Sequence, residues 1–208
     1  DYRKETLDRL LRLDVDRAPD ARLDPAAPTI QLKMAGFGGQ GVLSMGVILA
    51  RAACAAGKFT SWYPSYGPEQ RGGTANCGVV VSGRPVGTPM VTEADVLVAM
   101  NRPSLEKFAG EVKPGGWLLY AAEIGEFAAP AGVRTLAVPA LDLAKEGGNP
   151  RAANVAMVGV LAGLDGFGLS DAAYREALAA NFAGKAKIVA QNEAVFALAR
   201  RWGAAHRA

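Results

Sequence analysis

Gly36-Phe37-Gly38-Gly39-Gln40-Gly41 is the first stretch in which residue type and spacing suggest chemistry. It satisfies G-x-G-x-x-G and lies between an alternating apolar segment, residues 29–35, and a run of helix formers, residues 42–56. That strand–loop–helix setting is what gives the pattern physical meaning. Glycines let the backbone turn tightly, and the start of the following helix offers unpaired N–H groups to an anion. The other reading is that the glycines serve only close packing of strand on helix, and on the residues alone both stay open. A dinucleotide site is disfavoured, because holding the ribose hydroxyls takes an acidic side chain about 20 residues further on. No Asp or Glu occurs between Gly36 and Glu69. An NADP site would want an arginine just past the second strand, and Arg71 lies several residues beyond it.

A second polar set sits in Pro64-Ser-Tyr-Gly-Pro-Glu-Gln-Arg-Gly-Gly73, where Tyr66, Glu69, Gln70 and Arg71 crowd a loop rich in glycine and proline. The Arg71 guanidinium suits bidentate contact with a phosphate or carboxylate, while a Glu69–Arg71 pair that braces the loop is the alternative. Asn101, just past the apolar run 95–100, is the third candidate, since ligands of open α/β sheets gather at the carboxyl ends of strands. These residues (Gly36, Gly38, Gly39, Gln40, Gly41, Tyr66, Arg71 and Asn101) are the expected binding set. No catalytic residue is expected: neither cysteine has a histidine nearby, and Ser44 lacks a nucleophile-elbow context. Cys54 and Cys77 are in no CxxC spacing and His206 is the one histidine. A structural zinc or iron–sulfur site needs about four such ligands, so no metal is expected on this chain.

The elements that must position these residues follow from periodicity. Residues 29–35, 58–63, 95–100, 117–121 and 133–138 read as strands; 75–81 and 85–91, joined across Ser82-Gly83-Arg84, read as a hairpin excursion. The run 95–100 is continuously apolar, the mark of a parallel strand buried on both faces. Residues 42–56, 104–111, 150–164 (opened by Pro150), 170–182 (capped by Ser170) and 188–202 read as helices. Strands alternating with helices predict an α/β fold, Rossmann-like, with a mostly parallel sheet and helices on both faces. Residues 1–28 stand apart. Leucines at 7, 10, 11 and 13 form a helical stripe, followed by a linker rich in Asp, Arg, Ala and Pro, so an N-terminal arm precedes an α/β domain over 29–208.

With 208 residues the chain fits one well-buried domain. Its net charge of +3, with Lys and Arg scattered, argues against nucleic acid. No apolar run reaches the ~18 residues of a membrane span, and no signal-peptide pattern is present. The expectation is a cytoplasmic protein.

Three stretches in this order resemble one family. Gly36-Phe-Gly-Gly-Gln-Gly-Val42, Pro64-Ser-Tyr-Gly-Pro-Glu-Gln-Arg-Gly-Gly73 and Ala94-Asp-Val-Leu-Val-Ala-Met-Asn101 are similar to the gamma subunit, or gamma domain, of 2-oxoacid:ferredoxin (or acceptor) oxidoreductases. Val112-Lys-Pro-Gly-Gly116, Asn154, Gly184-Lys and Asn192 add to the similarity, which covers roughly residues 30–200. The resemblance implies a non-catalytic subunit of a complex that oxidatively decarboxylates a 2-oxoacid to an acyl-coenzyme A. It implies that this chain helps hold coenzyme A, whose phosphates suit residues 38–41. Thiamine diphosphate, Mg²⁺ and [4Fe-4S] clusters then belong to partners: alpha, beta and ferredoxin-like delta subunits, with an added flavin subunit in relatives that reduce NAD. The family's plain form lacks the extension 1–28. The competing readings are a free-standing nucleotide-binding regulatory module and a purely structural spacer.

Overall fold

The computed structural model describes residue 24 and residues 26–66, 74–165 and 167–207. Within these, Ile30–Phe37 (β1) alternates as its sequence requires: Leu32 and Met34 enter one core, and Ala35 the other. Val42–Ala55 (α1) follows the glycine loop, and Gly57 ends it at φ 70°. Phe59–Tyr66 (β2) and Thr74–Ser82 (β3) come next, then Ala94–Ala99 (β4) and Arg102–Phe108 (α2), which runs into a 3₁₀ turn at Ala109–Glu111. Val112–Ala121 (β5), Arg134–Val138 (β6) and Ala140–Glu146 (α3) lead to the last three helices, Ala153–Leu164 (α4), Asp171–Asn181 (α5) and Ala186–Ala205 (α6).

The sheet order is β2-β3-β1-β4-β5-β6. Strands β1, β4, β5 and β6 are mutually parallel, while β3 lies antiparallel between β1 and β2. Both faces are covered, as a parallel sheet requires. One carries α1 and α3 to α6 around Met34, Val96, Val98 and Leu119; the other carries α2 against Ala35, Leu97, Ala99 and Leu118. Helix α4 is the central one, buried from Asn154 through Leu164, as its apolar surround demands.

Five details differ from the sequence expectation. The antiparallel excursion is β2 with β3, paired from Phe59↔Ser82 to Tyr66↔Ala75, and residues 85–91 form no strand. Pro64 lies inside β2 rather than opening a loop, which is tolerated because β2 is an edge strand. Residues 113–116 belong to β5 as an irregularity between Ala94↔Val112 and Val96↔Trp117, where Lys113 Nζ donates to Asp95 Oδ1 at 3.0 Å. Helix α4 begins at Ala153, beyond Pro150, and α3 was not anticipated.

Most of the N-terminal arm and the loop 67–73, with Glu69, Gln70 and Arg71, lie outside the described residues. Asp24 N donates to Gly83 O at 2.8 Å. Among the described residues, no helix is long and apolar enough to cross a membrane.

Candidate ligand-binding site

The parallel strands deliver their carboxyl ends to one edge of the sheet. Gly36 pairs with Ala75, which pairs with Tyr66, while Met100 N donates to Ala35 O at 2.8 Å. The glycine loop, the end of β2 and Asn101 are therefore neighbours along that edge, as the strand reading anticipated. Of Tyr66 the structure gives the backbone pairing; Arg71 lies outside the described residues.

Within the loop, Gln40 is the brace. Its Oε1 accepts from Phe37 N at 2.6 Å and from Asn101 Nδ2 at 3.1 Å, and its Nε2 donates to Met100 O at 3.0 Å. Asn101 in turn caps α2, its Oδ1 accepting from Ser104 N at 2.9 Å. Both amides are thus occupied within the protein, fixing the loop against the end of β4. Gly36 must be glycine for that brace: a Cβ there would meet Gln40 Oε1 and Val42 Cγ2 at 2.8 Å.

Gly39 and Gly41 do something else. Gly39 has φ 95°, with nothing within 4 Å of where a Cβ would stand, so its backbone is open to a ligand. Gly41, at φ 74°, is the N-cap of α1 and offers no side chain to its first-turn amides. Exposed backbone, positive φ and a helix start are what close approach of a phosphate needs.

Two clefts flank the loop and share Gly39, Gln40 and Arg151. The larger, about 680 Å³, runs along the ends of β4 and β5 between Asn101, Arg102, Ile124 and Leu141. Arg102 is tied there, donating through Nη2 to Ile124 O and Glu126 O, both at 2.9 Å. The smaller, about 450 Å³, lies toward α4 and α6, among Asn149, Asn154, Lys185, Gln191 and Asn192.

Among the described residues no acid–base or nucleophilic pair stands in either cleft. Cys77 is buried on β3 with its thiol against Val42 O at 3.5 Å, and burial pushes its pKa up to about 12. It is protonated at neutral pH and cannot serve as a thiolate nucleophile. Cys54, exposed near the end of α1, is remote from the loop. Among the described residues no three His, Cys, Asp or Glu side chains are grouped to hold a metal ion.

The structure is thus an α/β sheet with an open glycine loop at its carboxyl edge. The model of the pyruvate ferredoxin/flavodoxin oxidoreductase family matches residues 31–202. The chain belongs to that family, and within it corresponds to the gamma subunit of the 2-oxoacid:ferredoxin oxidoreductases. It is 50% identical over 202 residues, 97% of its length, to ketoisovalerate oxidoreductase subunit VorA of Methanothermobacter marburgensis. It spans 42% of that relative's length. It is 37% identical over 139 residues to 2-oxoglutarate synthase subunit KorC of Methanothermobacter thermautotrophicus, covering 63% of this chain and 74% of that one.

Among solved structures, the keto/oxoacid ferredoxin oxidoreductase gamma subunit of Geobacter sulfurreducens superposes with a TM-score of 0.73 at 28% identity, over 85% of this chain and 99% of that one. The 2-oxoglutarate:ferredoxin oxidoreductase of Magnetococcus marinus, with 2-oxoglutarate, coenzyme A and succinyl-CoA bound, gives 0.75 at 28%, over 85% of this chain and 31% of that one.

Sequence reasoning singled out neither Arg102 nor Arg151. Lys185, Asn154 and Asn192 entered only through family resemblance, and the fold gathers these three on the smaller cleft. The available signal was slight: Asn154 and Lys185 stand at helix starts, and Asn192 lies about two turns into α6.

Proposed function

We propose that this chain is the coenzyme A-binding gamma component of a 2-oxoacid oxidoreductase complex that converts a 2-oxoacid to its acyl-coenzyme A. The observation that carries the reading is Gly39, whose backbone is open and at positive φ beside an uncapped helix start at the carboxyl edge of the sheet. A diphosphate fits that chemistry: it takes backbone N–H donors and gains from the positive end of α1. The bound coenzyme A and succinyl-CoA of the Magnetococcus marinus relative support the same assignment. The chain's own work is to bind and orient the carrier, with Arg71, five residues beyond Tyr66 in sequence, as a further cation for its phosphates. Decarboxylation and electron transfer fall to partner subunits holding thiamine diphosphate, Mg²⁺ and [4Fe-4S] clusters.

The test is steady-state kinetics of the assembled complex with Gly39→Val. A branched side chain at φ 95° is strained and stands where the ligand must approach. The KM for coenzyme A is expected to rise about ten-fold or more, the scale of one lost charged hydrogen bond, while the KM for the 2-oxoacid stays put. An unchanged coenzyme A KM in an intact complex contradicts the reading.

A further inference from the structure

The margin of the sheet at β2 is left open, and the glycine-loop reading makes no use of it. Strand β2 is outermost in the sheet order, and among the described residues no strand pairs with its outer side. Edge strands are ordinarily blunted with charge, yet Phe59-Thr-Ser-Trp-Tyr-Pro-Ser-Tyr66 carries none, and Pro64 is its one interruption. Trp62 is 38% exposed and Tyr63 48%. Trp62 stands over Gly46 of α1, so by alternation Tyr63 is on the other face of the sheet. On that face Pro89 and Val91 lie over Gly78, the ladder partner of Tyr63, which puts Met90, 58% exposed, at the same margin. Of the exposed large hydrophobic residues described, only Leu141 lies elsewhere.

Where the chain enters the fold indicates what covers this margin. Asp24 N donates to Gly83 O at 2.8 Å, and Thr29 Oγ1 lies 2.9 Å from Ser82 Oγ. Ser82 pairs with Phe59, the first residue of β2. Residues 1–23 therefore join the body at the head of the open strand. The segment 14–23 spans at most about 36 Å, and an eight-residue strand is about 26 Å long, so the residues before it reach any point of β2. Those residues include Leu7, Leu10, Leu11 and Leu13, at helical spacing among charges. A short amphipathic stretch of this kind is marginal alone and gains stability by laying its apolar side on a surface. The arm is shared beyond this chain. The match to VorA takes in 202 of the 208 residues and so includes most of residues 1–28, whereas the family model begins at residue 31.

We propose that residues 1–23 are the occupant: the leucine stripe docks within the same chain on the open margin of β2, over Tyr63 and Met90. The arm is thus a strap added to the unit that the family shares. It shields an uncharged edge from pairing with foreign strands. It also steadies the strand that ends at Tyr66, which Ala75 connects to Gly36 of the glycine loop.

Photocrosslinking in the complex carrying this chain, with Tyr63→p-benzoylphenylalanine, tests it. Irradiation is expected to give an adduct within one polypeptide, unchanged in mass on a denaturing gel and mapped by mass spectrometry to residues 1–23. Hydrogen exchange tests it without altering β2. Leu10→Asp combined with Leu11→Asp is expected to speed exchange in the peptide 59–66 at least about ten-fold, with the peptides of β4 and β5 unchanged. An adduct to another polypeptide, or none to residues 1–23, overturns the proposal. So does exchange in 59–66 that is indifferent to the leucine substitutions. Should those substitutions also speed exchange in β4 and β5, the crosslink alone decides.

Discussion

The most informative residue is Gln40, because it stands inside the glycine loop yet is held by the protein rather than left free. One amide closes the loop on Phe37, joins it to Asn101 and anchors it to Met100. Gln40→Ala removes all three bonds and leaves the Phe37 N–H and the Asn101 amide without their acceptor. The expected cost is about 1–3 kcal/mol, read as a lower urea midpoint at unchanged slope. An unchanged midpoint would mean that the brace is not what fixes the loop. Sequence placed Gln40 among the binding candidates because position alone put it in the motif. Its partners Asn101 and Met100 are some 60 residues away, so its role was visible only once β1 and β4 were paired. The glycines were legible for the opposite reason: a strand, a helix and the spacing between them are local information.

At the scale of elements, α4 and α6 pack so closely that side chains between them are not tolerated. A Cβ on Gly159 would lie 2.7 Å from Phe196 O, one on Gly203 would lie 2.5 Å from Val160 O, and one on Gly163 would press directly on Arg200 O. Gly163→Ala would gain about 1 kcal/mol of helix propensity on an isolated helix. Here overpacking against backbone costs about 1–3 kcal/mol, so the net effect is destabilising. Thermal melting of the variant is expected to show a lower Tm, and a raised Tm would refute the close packing. That packing also brings the starts of α4 and α6 to the same cleft. The elements themselves were largely readable: β1, α1, β4, α5 and α6 lie within a few residues of the positions that periodicity assigned. Helix α3 was missed because seven residues carry too little periodicity to declare themselves. The partner of β3 was misassigned because it is β2, reached back across the 67–73 segment, rather than the run that follows it in sequence. Pairing is a tertiary choice, and Pro64 disguised β2 by signalling a loop where an edge strand was possible.

For the whole molecule, the sheet serves to hold one edge of strand ends, one glycine loop and two flanking clefts in fixed relation. The proposed role makes this chain a carrier-binding component of a larger assembly. The chain spans 42% of the length of the VorA relative, so in that protein the same unit is joined to further polypeptide. The most direct test of the central claim is anaerobic purification of this chain from its native host, with an assay for coenzyme A-dependent oxidation of 2-oxoacids. The account predicts co-purification with thiamine diphosphate and iron–sulfur subunits, and activity that needs coenzyme A. A lone, stable monomer that binds a nucleotide and brings no 2-oxoacid activity would contradict it.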